Sequence, residues 1–181
     1  MKKFRLLTIT LILGLVLPVF GQISEYAVKA AYLFNFAKFV EWPTGTFQGE
    51  TSPIIIGVLG EDPFGDDLDR IIEDKSVNGH SIRLKRFGVF DGIQIPQLRR
   101  CQILFIAYSE KDHLSVILQV LRGAPVLTVS EIGKFPLSGG MILFDQEGQR
   151  ITLGINPKTA QRAQLKISSK LLHVAKIYKS E

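Results

Sequence analysis

The sequence predicts an α/β fold: a three-layer sandwich with a mostly parallel central sheet, an antiparallel hairpin at its edge and helices on both faces. Short, wholly apolar runs recur along the chain, as in strands that are buried on both sides. Segments with apolar residues at helical spacing alternate with these runs, which is typical of a parallel sheet. Near the end, two apolar runs flank a polar turn that contains glycine, which indicates a hairpin.

The first predicted element is a helix over residues 24–42. Ser24 is a candidate N-cap, because its side chain can accept a hydrogen bond from a backbone N–H of the first turn. Pro43 cannot continue a helix and marks its end. The polar residues 44–52 that follow predict a loop.

The middle of the chain alternates between predicted strands and helices. The strands are expected at 54–59, 82–87, 103–107 and 125–129. A short helix is expected over 66–74. Ser109, with Asp112 three positions later, forms a capping-box pattern that predicts the start of another helix.

The last part of the chain predicts a hairpin followed by helices. Apolar runs at 141–144 and 151–155 flank the polar turn of the hairpin. Asn156 followed by Pro157 has the pattern of an N-cap with proline at the first helical position. An apolar stripe then predicts a C-terminal helix that carries Ile167, Leu171, Val174, Ala175 and Tyr178.

The N-terminal residues have the pattern of a secretory signal peptide. Basic residues precede an apolar run over 6–19, which is short for a membrane span, and a small-residue cleavage pattern ends at Gly21. We therefore expect a cleaved signal peptide at 1–21 and a single exported domain at 22–181, with no membrane span after cleavage. The alternative is an uncleaved N-terminal anchor.

Composition excludes several classes of protein. The 46% hydrophobic fraction excludes a disordered chain, and the single cysteine, Cys101, excludes a scaffold built on disulfides. Removal of residues 1–21 reduces the 22 basic residues by three, to 19, against 17 acidic residues, so the net charge falls to +2. A nearly neutral domain is a poor candidate for nucleic-acid binding.

Seven blocks of sequence occur in the order that is found in one known family. They are Lys29 to Pro43, Gly60 to Phe64, Cys101 to Phe105, Leu127 to Ser130, Gly139 to Ile142, Ile155-Asn156 and Ser168 to Leu172. Together they span almost all of the mature chain, and on them the sequence resembles the YfiR family of periplasmic regulators.

The resemblance implies a function that composition does not. Proteins of this family are periplasmic inhibitors that bind the periplasmic sensor region of an inner-membrane diguanylate cyclase, lower cyclic di-GMP and restrain biofilm formation. The resemblance therefore implies a non-enzymatic protein without a cofactor, and we expect a homodimer. Some members use additional cysteines for regulatory disulfides. With Cys101 alone, that redox control is not carried over to this chain.

The first helix offers candidates for partner binding. A second, aromatic stripe runs beside its apolar stripe, and it suggests that four residues dock a sensor domain or a second protomer: Tyr32, Phe36, Phe39 and Trp42. The alternative is that the C-terminal helix or the loop at 44–52 covers these rings, since most apolar helical stripes belong to the core.

A small-ligand sensor is the alternative function. Because ligands of open α/β sheets bind beside the carboxyl ends of the strands, a pocket is expected there. Its candidate residues are Asp62, Phe64, Ser130, Gly139, Gly140 and Asn156. The two glycines either form a backbone nest for an anion or supply the dihedral angles of a turn.

The sequence contains no recognisable catalytic or metal-binding motif. The glycine-containing loop at 60–65 lacks a nucleotide-binding pattern, and its carboxylates would repel phosphate. The acidic residues between Glu61 and Asp74 do not have calcium-loop spacing and predict a solvated helix N-terminus instead. A hydrolase that uses Asp62 and Asp66 is the least favoured alternative, because no nucleophile or metal accompanies them. Arg99 and Arg100 could lower the pKa of the Cys101 thiol, but Cys101 opens a buried strand and is expected to act as a small apolar residue.

Overall fold

The structure is a computed structural model that describes residues 24–49, 51–148 and 150–179. The predicted signal peptide and its cleavage site therefore lie outside the described residues. Within these ranges, no helix combines the length and the apolar character that crossing a bilayer requires.

The described elements alternate between strands and helices along most of the chain. The helices are α1 (Glu25–Phe39), α2 (Asp66–Ile72), α3 (Ile95–Leu98), α4 (Leu114–Leu121), α5 (Pro157–Arg162) and α6 (Ser169–His173). The strands are β1 (Val40–Glu41), β2 (Ile54–Leu59), β3 (Ser76–Val77), β4 (His80–Arg86), β5 (Ile103–Ile106), β6 (Leu127–Ser130), β7 (Ile142–Glu147), β8 (Arg150–Ile155), β9 (Lys166–Ile167) and β10 (Lys176–Ile177).

Eight of the described strands form one mixed sheet in the order β10-β8-β7-β6-β5-β2-β4-β3. The five central strands β4, β2, β5, β6 and β7 are parallel to one another, whereas β8 is antiparallel to β7 and β3 is antiparallel to β4. β1 and β9 pair separately as a small antiparallel sheet. The predicted α/β sandwich is confirmed, with its mostly parallel sheet and its hairpin.

Two apolar cores form the layers on either side of the sheet. In β5, Ile103 and Phe105 point into the core beneath α1 and α2, whereas Leu104 and Ile106 point into the core beneath α3 and α4. This alternation follows from the two-residue period of a strand. It explains why the central runs are apolar at every position.

The C-terminal helix predicted from the stripe at 167–178 is wrong. Ile167 belongs to β9 and pairs with Val40, and Ile177 belongs to β10 and pairs with Ile155. Between them, Ser168 caps the short helix α6 by accepting a hydrogen bond from the Lys170 N–H at 3.2 Å. Ile167 and Ile177 are β-branched, and such residues favour strands. Their backbone groups form hydrogen bonds with β1 and β8 instead of the bonds that a longer helix would form within itself.

The expected capping box at Ser109 is also wrong. Residues 108–110 form a short 3₁₀ helix, and α4 begins only at Leu114. The Ser109 hydroxyl accepts a hydrogen bond from the Glu61 N–H at 2.9 Å instead. In α1, by contrast, the Ser24 hydroxyl accepts from the Ala27 N–H at 2.9 Å, so the predicted N-cap is confirmed.

Candidate functional site

The first helix lies at the centre of the candidate site because it packs on the sheet and beside α2. Its buried side consists of Lys29, Ala30, Leu33, Phe36 and Ala37. The side of α1 that is turned away from the sheet has no charged side chain before Lys38. Its other residues are half-buried: Ala27, Val28, Ala31, Phe34 and Asn35. A surface helix usually presents charged residues to water, so this outer side is unusually apolar.

Phe36 is part of the core in this structure, and its contact with a partner stays a prediction. Its side chain is fully buried, and its ring lies 5.9 Å from that of Phe144 on β7 and 6.1 Å from that of Tyr32. The reason is geometric: Phe36 follows Leu33 by three positions, which places it on the same side of the helix.

The other three predicted docking residues are half-buried at the rim of the core. Tyr32, Phe39 and Trp42 all pack against it and keep part of their surface exposed. The Trp42 indole N–H donates a hydrogen bond to the Gln102 carbonyl oxygen at 3.2 Å. Docking through the exposed parts of these rings stays a prediction.

An ion cluster around the buried Lys29, which sequence reasoning missed, joins α1 to the segment after β6. The Lys29 ammonium group lies 2.5 Å from a carboxylate oxygen of Glu25 and 2.5 Å from one of Glu131, and it lies 4.5 Å from the Tyr26 ring centroid. The Tyr26 hydroxyl donates to Glu131 at 3.3 Å. The signal available in the sequence was Lys29, a charged residue among apolar positions of α1, but the sequence does not indicate its distant partner Glu131.

The surroundings shift the pKa of two groups in this cluster, Lys29 and Tyr26. Burial lowers the pKa of Lys29, but hydrogen bonds and charge attraction from Glu131 and Glu25 outweigh burial and raise it. Burial and the nearby negative charge of Glu131 raise the pKa of Tyr26. The cluster therefore holds a charged lysine and a neutral tyrosine at neutral pH, and it fixes the position of α1.

The residues predicted to bind a ligand each have a partner inside the fold. Phe64 is buried with its ring 4.8 Å from that of Phe105. The fully buried Ser130 hydroxyl donates to the Ile106 carbonyl oxygen at 2.7 Å. Asn156, also fully buried, donates to the Pro136 carbonyl oxygen at 2.8 Å and caps α5 as predicted.

The remaining predicted ligand residues also have structural partners. A Cβ at Gly140 would lie 2.2 Å from the Phe135 ring, so this glycine is needed for packing. Gly139, which has φ +99°, supplies the turn before it. Asp62 accepts a hydrogen bond from Arg86 Nε at 2.5 Å. Ligand binding by this predicted set stays a prediction.

The acidic segment after β2 is held by one arginine. Arg86 on β4 contacts the carboxylates of Asp62 and Asp69 at 2.5 Å each and donates to the Gly65 carbonyl oxygen at 3.0 Å. Hydrogen bonds from Arg86 lower the pKa of Asp69, and the two carboxylates raise the pKa of Arg86. Across the part of the chain that the structure describes, no three His, Cys, Asp or Glu side chains are grouped to hold a metal ion.

Cys101 is a buried, inert thiol in this structure. Its side chain is 1% exposed. Burial raises the pKa of Cys101 to about 12, although the charge of Lys85 acts in the opposite direction. The structure agrees with the expectation that Cys101 serves as a small apolar residue.

We expect the native protein to resist thiol labelling. At pH ~8 a thiol of this pKa has about one part in ten thousand as thiolate, against about a quarter for an ordinary cysteine of pKa about 8.5. The absorbance change with a disulfide reagent should therefore be slow in buffer and fast in ~6 M guanidinium, where the exposed chain has an ordinary thiol. Rapid labelling of the native protein would contradict the placement of Cys101.

Comparison with known proteins agrees with the resemblance that the sequence blocks carry. The model of a family described as YfiR/HmsC-like matches residues 26–176, which is most of the chain. The match begins within α1 and ends in β10, so it includes the eight-stranded sheet except for the last residue of β10.

Proposed function

Since the chain belongs to the YfiR/HmsC-like family, whose members are periplasmic regulators of diguanylate cyclase signalling, we propose that it binds the periplasmic sensor region of an inner-membrane diguanylate cyclase and holds that enzyme inactive. The regulator lowers cyclic di-GMP and biofilm formation by occupying the sensor. Occupancy shifts the cyclase only if the regulator has a higher affinity for the inactive state than for the active state.

The observation that supports a docking role is the apolar outer side of α1. Val28, Ala31 and Phe34 leave part of their surface exposed there. Small side chains such as Ala31 let another helix approach closely, and aromatic residues at the margin provide area for contact. We propose that this outer side, together with the exposed parts of Tyr32, Phe39 and Trp42, forms the docking surface.

The test removes docking without disturbing the core. Ala31→Arg places a long charged side chain on the outer side of α1, where its stem can lie along the surface. Ser115→Arg is the matched control, because Ser115 is an exposed position of α4 on the opposite face of the sheet. Both purified variants should unfold at the same urea concentration as the wild type.

We expect deletion of the gene to raise cyclic di-GMP in a strain that expresses the cyclase. The wild type and Ser115→Arg should restore the low level, whereas Ala31→Arg should not, and only Ala31→Arg should fail to retain the cyclase from solubilised inner membrane. An unchanged cyclic di-GMP level on deletion would contradict the regulatory role. Full complementation by Ala31→Arg would show that docking uses another surface.

The expected homodimer is part of the same proposal, since a second protomer could use the outer side of α1. Light scattering of the purified protein measures this directly, and Ala31→Arg should convert a dimer of this kind to a monomer. The alternative function, a small-ligand sensor, stays a prediction.

A further inference from the structure

A cleft of about 410 Å³ lies at the edge of the sheet where the parallel strands begin. The loop after β1 forms one wall, and the turn before β5 forms the other. Ile55 near the start of β2 lies between them, and Pro125 precedes β6. This volume is within the range of pockets that bind small molecules. The cleft is at the opposite edge from the predicted ligand site.

Two charged side chains line this cleft, and they are the arginines Arg99 and Arg100. Arg99 donates one hydrogen bond to the Val120 carbonyl oxygen at 2.6 Å and keeps further N–H groups free to donate. Arg100 is exposed and has no ion-pair partner among residues 24–49, 51–148 and 150–179. Among the described residues, the lining of the cleft contains these two arginines and no carboxylate, which gives it a positive potential that favours an anion.

The wall opposite the arginines offers a second polar group and an apolar surface. Thr46 lines the cleft, and among the described residues its buried hydroxyl oxygen has no hydrogen-bond partner. Phe47, Ile55 and Pro125 provide an apolar surface in the same cleft.

The walls are held in place by contacts beneath them. The Phe47 ring stacks on His80 with 4.3 Å between the centroids, and a ring nitrogen of His80 lies 2.7 Å from the Ser52 carbonyl oxygen. Gln102 accepts a hydrogen bond from the Ile55 N–H at 2.7 Å. A site that is formed before binding loses less entropy when the ligand arrives.

From this arrangement we infer that the cleft binds a small organic anion, whose carboxylate or phosphate group contacts Arg99 and Arg100 and whose apolar body lies on Phe47, Ile55 and Pro125. The inference goes beyond the regulatory function and does not depend on it, because binding is measured on the purified protein without a cyclase.

Trp42 provides a reporter beside the cleft. It is the only tryptophan of the chain, and its indole N–H is bonded to Gln102, which lines the cleft. The ¹⁵N-labelled protein therefore gives one indole resonance to follow by NMR. Hexanoate is the carboxylate probe, and hexyl phosphate is the phosphate probe. Two matched controls accompany them: hexanamide has the apolar body without the charge, and acetate has the charge without the apolar body.

We expect hexanoate to shift the indole resonance saturably, with a dissociation constant of about 1 mM or below. Hexanamide should bind about tenfold more weakly because it cannot form charge-assisted hydrogen bonds with the arginines. Acetate should also bind more weakly because it has no body to bury. Tighter binding of hexyl phosphate than of hexanoate would identify phosphate as the preferred head group, and the reverse would identify carboxylate.

Arg100→Gln tests the charge, and Arg150→Gln on the exposed part of β8 is its matched control. Arg100→Gln should weaken hexanoate binding by about tenfold, the effect of one charge-assisted hydrogen bond, while Arg150→Gln should leave it unchanged. Three results would each overturn the inference: no saturable shift with ~50 mM hexanoate, equal binding of hexanamide and hexanoate, or full affinity in Arg100→Gln.

Discussion

Replacing Phe36 by alanine is expected to lower the free energy of unfolding by about 4 kcal/mol, because the ring is fully buried and the cavity it leaves cannot collapse completely. The loss includes the contacts with the rings of Tyr32 and Phe144. Urea unfolding, followed by circular dichroism, measures the difference from the wild type.

Phe39→Ala is the matched control for this change. Phe39 lies in the same helix, but it is only half-buried, so we expect a loss of about 1.5 kcal/mol. A similar loss in both variants would mean that Phe36 does not occupy the core. The consequence for binding studies is direct: a substitution at Phe36 changes folding and docking together, which is why the docking test uses Ala31.

Replacing Glu131 by alanine should cost about 3 kcal/mol at neutral pH, because it removes one of two carboxylates from the buried ammonium group of Lys29. Glu41→Ala is the control. Glu41 faces Lys166 at 3.9 Å, and both side chains are exposed, so its loss should cost no more than about 0.5 kcal/mol. Equal costs in urea unfolding would contradict a buried role for the Lys29 cluster.

The same cluster predicts how stability depends on alkaline pH. A raised pKa means that the folded state holds its proton more tightly than the unfolded state, and both Lys29 and Tyr26 have raised values. Their contribution is therefore complete below pH ~10, where the unfolded groups are protonated, and it is lost as the pH rises through the folded values. The wild type should lose stability more steeply above pH ~10 than Glu131→Ala, and parallel curves would exclude the cluster as the cause.

Local patterns in the sequence were sufficient for elements whose partners are close in the chain. The cap at Ser24, the hairpin of β7 and β8 and the start of α5 at Asn156 each depend on residues a few positions apart. The strands of the sheet were recognisable because burial on both faces leaves no polar position. These features gave the fold class correctly.

The wrong predictions concern partners that are distant in the sequence. The apolar stripe indicates that Ile167 and Tyr178 are buried or paired, but it does not show that Val40 and Ile155 bond to them. In α1, apolar residues on all sides left open which side meets the sheet, so the sequence alone could not decide between docking and burial for Phe36. The predicted ligand site stays a prediction: its polar groups have partners within the fold, and the arginine cleft lies at the other edge of the sheet, where a loop and a turn form it.

The pairing of β1 with β9 ties the end of the first helix to the last part of the chain. Val40 is bonded in register with Ile167, and the Ser168 N–H donates to the Phe39 carbonyl oxygen at 2.8 Å. A chain that enters its compartment N-terminus first exposes α1 before the segment that anchors it has arrived. Contacts between residues that are far apart in the sequence slow folding, so α1 stays exposed to solvent until this pairing forms. The end of α1 is therefore expected to gain its pairing with β9 only after residues 166–168 are free to fold.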